Sequence, residues 1–276
     1  MLNLIITADD YGMSKSINDA ILEGIQCGRI TSTNVMVNMP YYKDIVKVKQ
    51  LFPNVSIGIH LNLTCGKPVS NIEEIKSLVD HSGTFFSATI FRRKVIRGEI
   101  KRSEIKKEIY AQYQKFAEMG FLPDYWNTHQ HVHMVCGLLF LINKISIKHG
   151  VTKVRCNSKF YIGSPRINTI ELLENALIRI EYQLLGKKTL YPEGLVRFRR
   201  GYSIYDLNLL TDYSKQHEKK KSSIELMIHP AKSIDSVYFG SLQEQRVKEY
   251  VFITDKKNQF FLNNHQIKLI SFNAVN

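Results

Sequence analysis

The sequence is poor in the features that define several protein classes. Four cysteines occur in 276 residues, at 27, 65, 136 and 156, with no C-x-x-C pair. That scatter excludes a disulfide framework, and a chain of this length buries enough surface to need none. The thiols are expected to be reduced and buried, as in a cytoplasmic protein. No uninterrupted apolar run approaches the ~20 residues that span a bilayer. The longest, residues 135–142, reads as a short buried helix at most. Asp9 and Asp10 arrive too early for the apolar core of a signal peptide. No Gly/Ser/Pro-rich linker and no internal repeat divides the chain, so one domain over 1–276 is expected.

Acidic residues are also short. Asp plus Glu number 25 against 38 Lys plus Arg, a net charge of +13. Such a surface favours anionic partners, although exposed lysines are more often solvated than binding. Nucleic acid is the weaker expectation, because helix-turn-helix, RNP and zinc-finger signatures are missing. One stretch has more binding character: Arg197, Arg199 and Arg200 flank Phe198 and Tyr202.

What is present is an alternation of strand and helix patterns. Residues 2–7 form a short β-branched run that stops at polar residues, as a buried parallel strand does at its C-terminal end. Ile17, Ile21 and Ile25 then recur at helical spacing, with Ser14 or Ser16 as N-cap and Gly28 as the stop. Further strands are expected at 31–37, 55–63, 125–128, 151–155, 224–229 and 267–272, and helices at 44–51, from Ser103 to Gly120, at 138–149 and at 171–185. In the last of these Leu173, Leu177, Ile180 and Leu184 share one face. Alternating elements imply βαβ units and a mostly parallel sheet, open or closed as a barrel.

Four polar points fall at the ends of these strands. Asp9-Asp10 follows the first; taken alone it could equally be an acidic pair capping the next helix. In residues 57–64 alternation puts Ile57, Ile59, Leu61 and Leu63 on one face and Gly58, His60 and Asn62 on the other. A histidine in such a strand needs a partner, catalytic or merely structural. His129, His131 and His133 stand at every second position and are expected to share one face of a strand or to line a strand-to-loop edge. Neutral imidazole is a common metal ligand, and this spacing suits a divalent ion. His229-Pro230 ends another strand. In a parallel sheet or barrel such ends gather on one face, which points to a metal site of carboxylate and imidazoles with an acid or base beside it.

Residues 7–12 (Thr-Ala-Asp-Asp-Tyr-Gly), 58–64, 129–133 and His229-Pro230 together resemble the YdjC/ChbG-type carbohydrate deacetylases, in the same order along the chain. The resemblance implies a deformed (β/α) barrel, TIM-barrel-like, with mostly parallel strands. It implies removal of acetyl groups from N-acetylated sugars, typically chitooligosaccharides, with one divalent metal ion, Mg²⁺ or Zn²⁺, and a homodimer. Asp10, His60 and His129 match the metal-binding positions, Asp9 the base and His229 the acid. Asn62, His131 and His133 match positions of substrate contact or outer support, and Arg155, at a strand end, is placed to orient a carboxylate. One departure stands out: where the family carries Asp before the Thr-His segment, this chain has Asn127. The charge that would tune a ligand histidine is therefore missing. The net charge adds the expectation of an anionic or lipid-linked glycan. Two rival readings remain: a metal-dependent phosphoesterase or amidohydrolase on a related barrel, and a catalytically inactive glycan- or nucleic-acid-binding protein.

Overall fold

In the computed structural model the residues described are 2–135, 137–162, 168–198, 207–216, 223–234, 242–257 and 267–276. Strand β1 (Leu2–Tyr11) sits at the centre, every residue buried except one. It is followed by α1 (Lys15–Gln26), β2 (Ser32–Val35), α2 (Ile45–Leu51), β3 (Ser56–Leu61), α3 (Ala88–Ile96), α4 (Arg102–Ala117) and β4 (Trp126–Thr128). The second half holds α5 (Leu138–Lys148), β5 (Lys159–Ile162), α6 (Thr169–Gln183), β6 (Leu195–Phe198), α7 (Leu207–Gln216), β7 (Ser223–Ile228), α8 (Gln243–Thr254) and β8 (Ile267–Leu269). Of the two caps open for α1, the chain uses Ser14, whose hydroxyl accepts from the Ile17 N–H at 3.2 Å.

Seven parallel strands run in the order β4-β3-β2-β1-β7-β6-β5 and curl into a half-barrel flanked by helices. This is the deformed α/β barrel expected. β8 pairs with Leu2 to Leu4 on the edge of β1 that β2 takes further along. The strand expected at 151–155 is reduced to isolated bridges, Val154 to Trp126 and Lys153 to Leu190. Those bridges carry the chain across the irregular gap between β4 and the β5–β6 pair.

Alternation along the strands separates two environments. Ile57, Ile59 and Leu61 of β3 are fully buried in the main apolar core, whereas Gly58 and His60 take the other, barrel-inward face. Gly58 is required there: a Cβ would lie 2.7 Å from the Tyr125 ring. Tyr125 stacks on Phe272 with ring centroids 3.8 Å apart, and with Ile5 and Val275 forms a separate small core. That core plugs the N-terminal mouth of the barrel. Polar inward residues are thereby left at the opposite mouth, where the strands' C-terminal ends converge, the position of active sites in this architecture.

Candidate active site

The adjacent carboxylates of Asp9 and Asp10 reach the same mouth because β1 is irregular there. In a regular strand neighbours point to opposite faces. The pairing of β1 with β2 shifts register between Ala8 and Tyr11, and Asp10 has φ +70°. This left-handed conformation, which aspartate tolerates better than most residues, re-aims the second carboxylate at a cost of about 1–3 kcal/mol.

Asp10 forms the centre of one cluster. Its Oδ1 lies 3.3 Å from His60 Nε2 and 3.1 Å from His129 Nδ1. Its Oδ2 accepts from Arg246 Nη2 at 2.5 Å, across from α8. Burial alone would raise the Asp10 carboxyl; Arg246, with the two histidines, holds it well below the usual carboxylate range. His60 arrives from β3 and His129 from the residue after β4. The three donor atoms lie within 4.8 Å of one another. One carboxylate oxygen and two imidazole nitrogens fit a divalent cation in number and type, and Arg246 on Oδ2 leaves Asp10 a single oxygen to offer.

Asp9 forms the second cluster. Arg155, fully buried, donates Nη1 to Asp9 Oδ2 at 2.5 Å and Nη2 to Asp9 Oδ1 at 2.7 Å. The same guanidinium donates Nε and Nη2 to Glu225 Oε1 at 2.9 and 2.6 Å. Asn34 Nδ2 adds a bond to Asp9 Oδ1 at 2.6 Å. The two carboxyls respond in opposite directions. Burial pushes both up; at Asp9 the Arg155 charge and hydrogen bonds reverse this and hold it far below its ordinary value, whereas at Glu225 burial prevails and the carboxyl is raised. The difference follows from geometry, since Asp9 engages the guanidinium through both oxygens and Glu225 through one.

Asn127 connects the clusters. It pairs with His60 across β3 and β4, which places their side chains together. One end of its amide faces the donors of Arg155 at 2.8 and 3.2 Å and of Asn34 at 2.9 Å, so that end is the carbonyl oxygen. The NH₂ then donates to His60 Nδ1 at 2.6 Å. A neutral His60 so held carries its proton on Nε2, the nitrogen that faces Asp10. An aspartate at 127 would accept from Nδ1 and leave Nε2 with its lone pair.

His229 follows β7, whose Ile228 pairs with Ala8, and therefore stands beside Asp9. Its Nε2 is 3.9 Å from Asp9 Oδ2, beyond hydrogen-bond reach. Its backbone N–H donates to Glu249 Oε2 at 2.5 Å. Burial pulls the imidazole below its ordinary value despite the nearby carboxylates, so it rests neutral at neutral pH. The side chains of His229 and His129 are 18% and 12% exposed, against 1–2% for Asp9, Asp10 and His60. A substrate therefore meets the site from the side of these two histidines.

The three-histidine run does not share a face. The chain leaves β4 at Thr128 and turns through His129–Met134 as a 3-10 segment in which Gln130 and His131 have φ +54° and +53°. Strand alternation is lost, and only His129 joins Asp10. His133 is fully buried: its Nδ1 lies 2.5 Å from Thr128 Oγ1 and its Nε2 3.2 Å from the Tyr182 hydroxyl. Burial first, then the Arg155 and His60 charges, push it down to about 3. His131 is half-buried beside it, ring centroids 6.4 Å apart. Asn62 organises the loop after β3, its Oδ1 accepting from the N–H groups of Thr64 and Cys65 and its Nδ2 donating to Cys65 O and Asn38 Oδ1.

Four residues that pattern reading did not single out complete the site: Asn34, Glu225, Arg246 and Glu249. Glu225 left a trace, a carboxylate inside the apolar run of β7. Of the basic stretch, Arg199 and Arg200 lie outside the described residues, and Arg197 lies in β6. Of the cysteines, Cys156 is buried as expected, Cys27 and Cys65 are only half-buried, all three are thiols, and Cys136 is outside the described residues. Among the described residues no helix is long and apolar enough to cross a membrane.

Residues 3–264 match the family described as YdjC-like protein. The chain is 30% identical over 276 residues to a carbohydrate deacetylase of Clostridium beijerinckii, covering 99% of this chain and 100% of the relative. It is 26% identical to a carbohydrate deacetylase of Thermoanaerobacter pseudethanolicus over the whole of both chains. Among solved structures, a candidate cellobiose-phosphate cleavage protein from Enterococcus faecalis V583 superposes with a TM-score of 0.72 at 23% identity. That match covers 98% of this chain and 97% of the other and shows a shared fold.

Proposed function

The chain belongs to the YdjC-like protein family, whose curated relatives are carbohydrate deacetylases, and from that premise we propose that it hydrolyses the acetamide of an N-acetylated sugar with the help of one divalent metal ion. The observation that carries the reading is the pairing of two differently held carboxylates: Asp10 in a triad with His60 and His129, and Asp9 clamped by Arg155 one residue away. A bound divalent ion supplies Lewis-acid polarisation of the acetyl carbonyl and acidifies water. Asp10, His60 and His129 are the residues that would hold it.

The chain's own groups do the rest. Arg155 keeps Asp9 ionised throughout the neutral range, so Oδ2 is a weak base that takes the proton of the attacking water only in passing, on its way to His229. The 3.9 Å between that oxygen and His229 Nε2 leaves the two groups facing a shared space. Because His229 rests neutral, it receives the proton drawn from water before passing it to the departing sugar nitrogen. The balance is one water and one acetamide consumed, one acetate and one amine released. Glu249 on the His229 backbone and Arg246 on Asp10 fix the two sides of the site from α8.

The rival phosphoesterase reading calls for a carboxylate-rich site for two or three ions. Among the described residues one group of three suits a metal, and Asp9 and Glu225 are both engaged by Arg155. The +13 charge favours anionic sugars as substrates. Acetate release from a panel of neutral and anionic N-acetyl sugars tests the reading. Wild type should release acetate, Asp9→Asn and His129→Ala should not, and an anionic member should be turned over best. Release from none of the sugars would overturn the deacetylase reading, and preference for neutral chitobiose would overturn the anionic one.

A further inference from the structure

The positive charge of the chain is concentrated in one strip. Residues 92–107 hold eight bases and two acids, a net +6 and close to half of the +13 carried by the whole chain. They run along α3, round a corner at Gly98 and into α4. Arg93, Arg97, Lys101, Arg102 and Lys106 are exposed. The acids neutralise only part of this charge. Glu99 is shared by Lys94 at 2.8 Å and Arg97 at 3.8 Å, and Glu104 takes Lys101 at 3.3 Å. Lys107 turns away to Glu74 at 2.8 Å, and Arg93 and Lys106 join none of the ion pairs among the described residues.

The strip is fastened to the active-site mouth at two points. The Arg92 guanidinium donates to Gln130 O. Arg102 Nη2 lies 3.7 Å from the position a Cβ on Gly137 would take. Gln130 belongs to the turn that presents His129, and Gly137 stands at the start of α5, where that loop ends. The bases therefore frame the chain that carries His129, one of the two histidines by which a substrate enters.

Spacing and composition select the partner. Guanidinium groups pair with carboxylate and sulfate through two parallel hydrogen bonds. Arg93 and Arg97 are one helical turn apart, as are Arg102 and Lys106, about 6 Å along each axis. Rows of this kind suit a chain with repeated charges better than a single anion. Nucleic acid is disfavoured: the one ring in residues 87–107, Phe91, is fully buried, so the strip has no stacking platform for bases. A lipid surface is disfavoured too, because Ile96 is the one exposed large aliphatic side chain of the segment and a membrane-surface helix sinks a whole apolar face.

We propose that the α3–α4 strip is a docking surface for an anionic polysaccharide, a sugar chain with a carboxylate or sulfate at regular intervals, held across the mouth so that an N-acetyl group reaches the site. What happens at the mouth rests on the deacetylase reading; the docking rests on the charge and placement of the strip.

Titration calorimetry of the full chain tests this with hyaluronan oligosaccharides, in which N-acetylglucosamine alternates with glucuronate, against neutral chitin oligosaccharides of equal length. Wild type should bind hyaluronan about 10-fold or more tightly than the neutral chain at low ionic strength, and the ratio should fall as salt rises. Arg93→Glu combined with Arg97→Glu should melt as wild type does and bring the ratio close to one, whereas Arg93→Lys combined with Arg97→Lys should keep most of it. Equal affinities in wild type, a ratio that salt or the charge reversal leaves intact, or a strip that holds duplex DNA or anionic phospholipid vesicles more tightly than hyaluronan would each overturn the proposal. Acetate is measured in the same samples. Release from chitin oligosaccharides with no preference for hyaluronan overturns the docking surface alone. Strip-dependent binding with no release from either sugar supports the docking and overturns the deacetylase reading.

Discussion

Arg155→Met should be the most damaging single change in the barrel, through charge rather than volume. Arg155 is the shared partner of two buried carboxylates, with four donor contacts of 2.5–2.9 Å to Asp9 and Glu225. Methionine fills most of the space and leaves both acids uncompensated. Breaking a buried pair in this way costs about 3–5 kcal/mol. At roughly 2–4 °C per kcal/mol for a protein of this size, the melting temperature should fall by about 6–20 °C. Glu225→Gln in that background removes one stranded charge and should restore about 1–3 kcal/mol. In the wild-type background the same substitution should gain less, because the Arg155 charge already offsets much of the burial effect at Glu225. The pH dependence has a definite sign. Without Arg155 the burial effect, the largest at both carboxyls, is opposed only by weaker contributions such as the His60 and His229 charges at Asp9, so both should titrate above their unfolded values. The deficit is then largest at neutral pH and shrinks as pH falls toward the ordinary carboxylate range. In wild type Asp9 behaves oppositely: its contribution is present above the unfolded value of 3.8 and is lost as pH falls through its depressed native value. Thermal melts of the four variants from neutral to mildly acid pH read all of this. Equal effects of Glu225→Gln in the two backgrounds, or a deficit independent of pH, would refute the reasoning.

Two further outcomes follow from the site. Asn127→Asp should raise affinity for Zn²⁺ by about 10–100-fold in calorimetric titrations, because the carboxylate would accept from His60 Nδ1 and free Nε2 for the ion; an unchanged affinity would show that the His60 tautomer does not limit binding. His229→Ala should lower kcat by about 10²–10⁴-fold on sugar acetamides while metal affinity holds, and an acetanilide-type substrate with a better leaving group should recover most of the loss; equal losses on both substrates would exclude proton delivery by His229.

The strand-end logic was legible because Asp9-Asp10, His60, His129 and His229 fall at or next to the C-terminal ends of β1, β3, β4 and β7, and parallel topology gathers such ends. The sequence pattern could not reveal the bulge at Asp10, since a left-handed aspartate leaves no periodic signature. Of the two readings of the histidine run, the shared strand face fails for the same reason, because positive φ at Gln130 and His131 bends the chain into a 3-10 turn, whereas the strand-to-loop edge is where His129 stands. Arg246 and Glu249 were invisible because their partners are remote in sequence and α8 has no strong apolar face to orient them. The stretch 151–155 read as a strand by composition, yet its neighbours allow only bridges, because β4 and β5 diverge where the barrel is deformed. The aliphatic face of α6 was plain in the sequence; that it points outward depends on Asn175 and Tyr182, the two polar residues that tie the helix to the barrel.

The central claim is that one divalent ion held by Asp10, His60 and His129 is required for acetate release. The direct test is to strip the protein with chelator, verify the residual metal by elemental analysis, and measure acetate release from an N-acetyl sugar while titrating Zn²⁺ or Mg²⁺. Stripped protein should release negligible acetate, recovery should saturate at one ion per chain, and His129→Ala should not recover. Undiminished release from metal-free protein, or full recovery in His129→Ala, would contradict the claim.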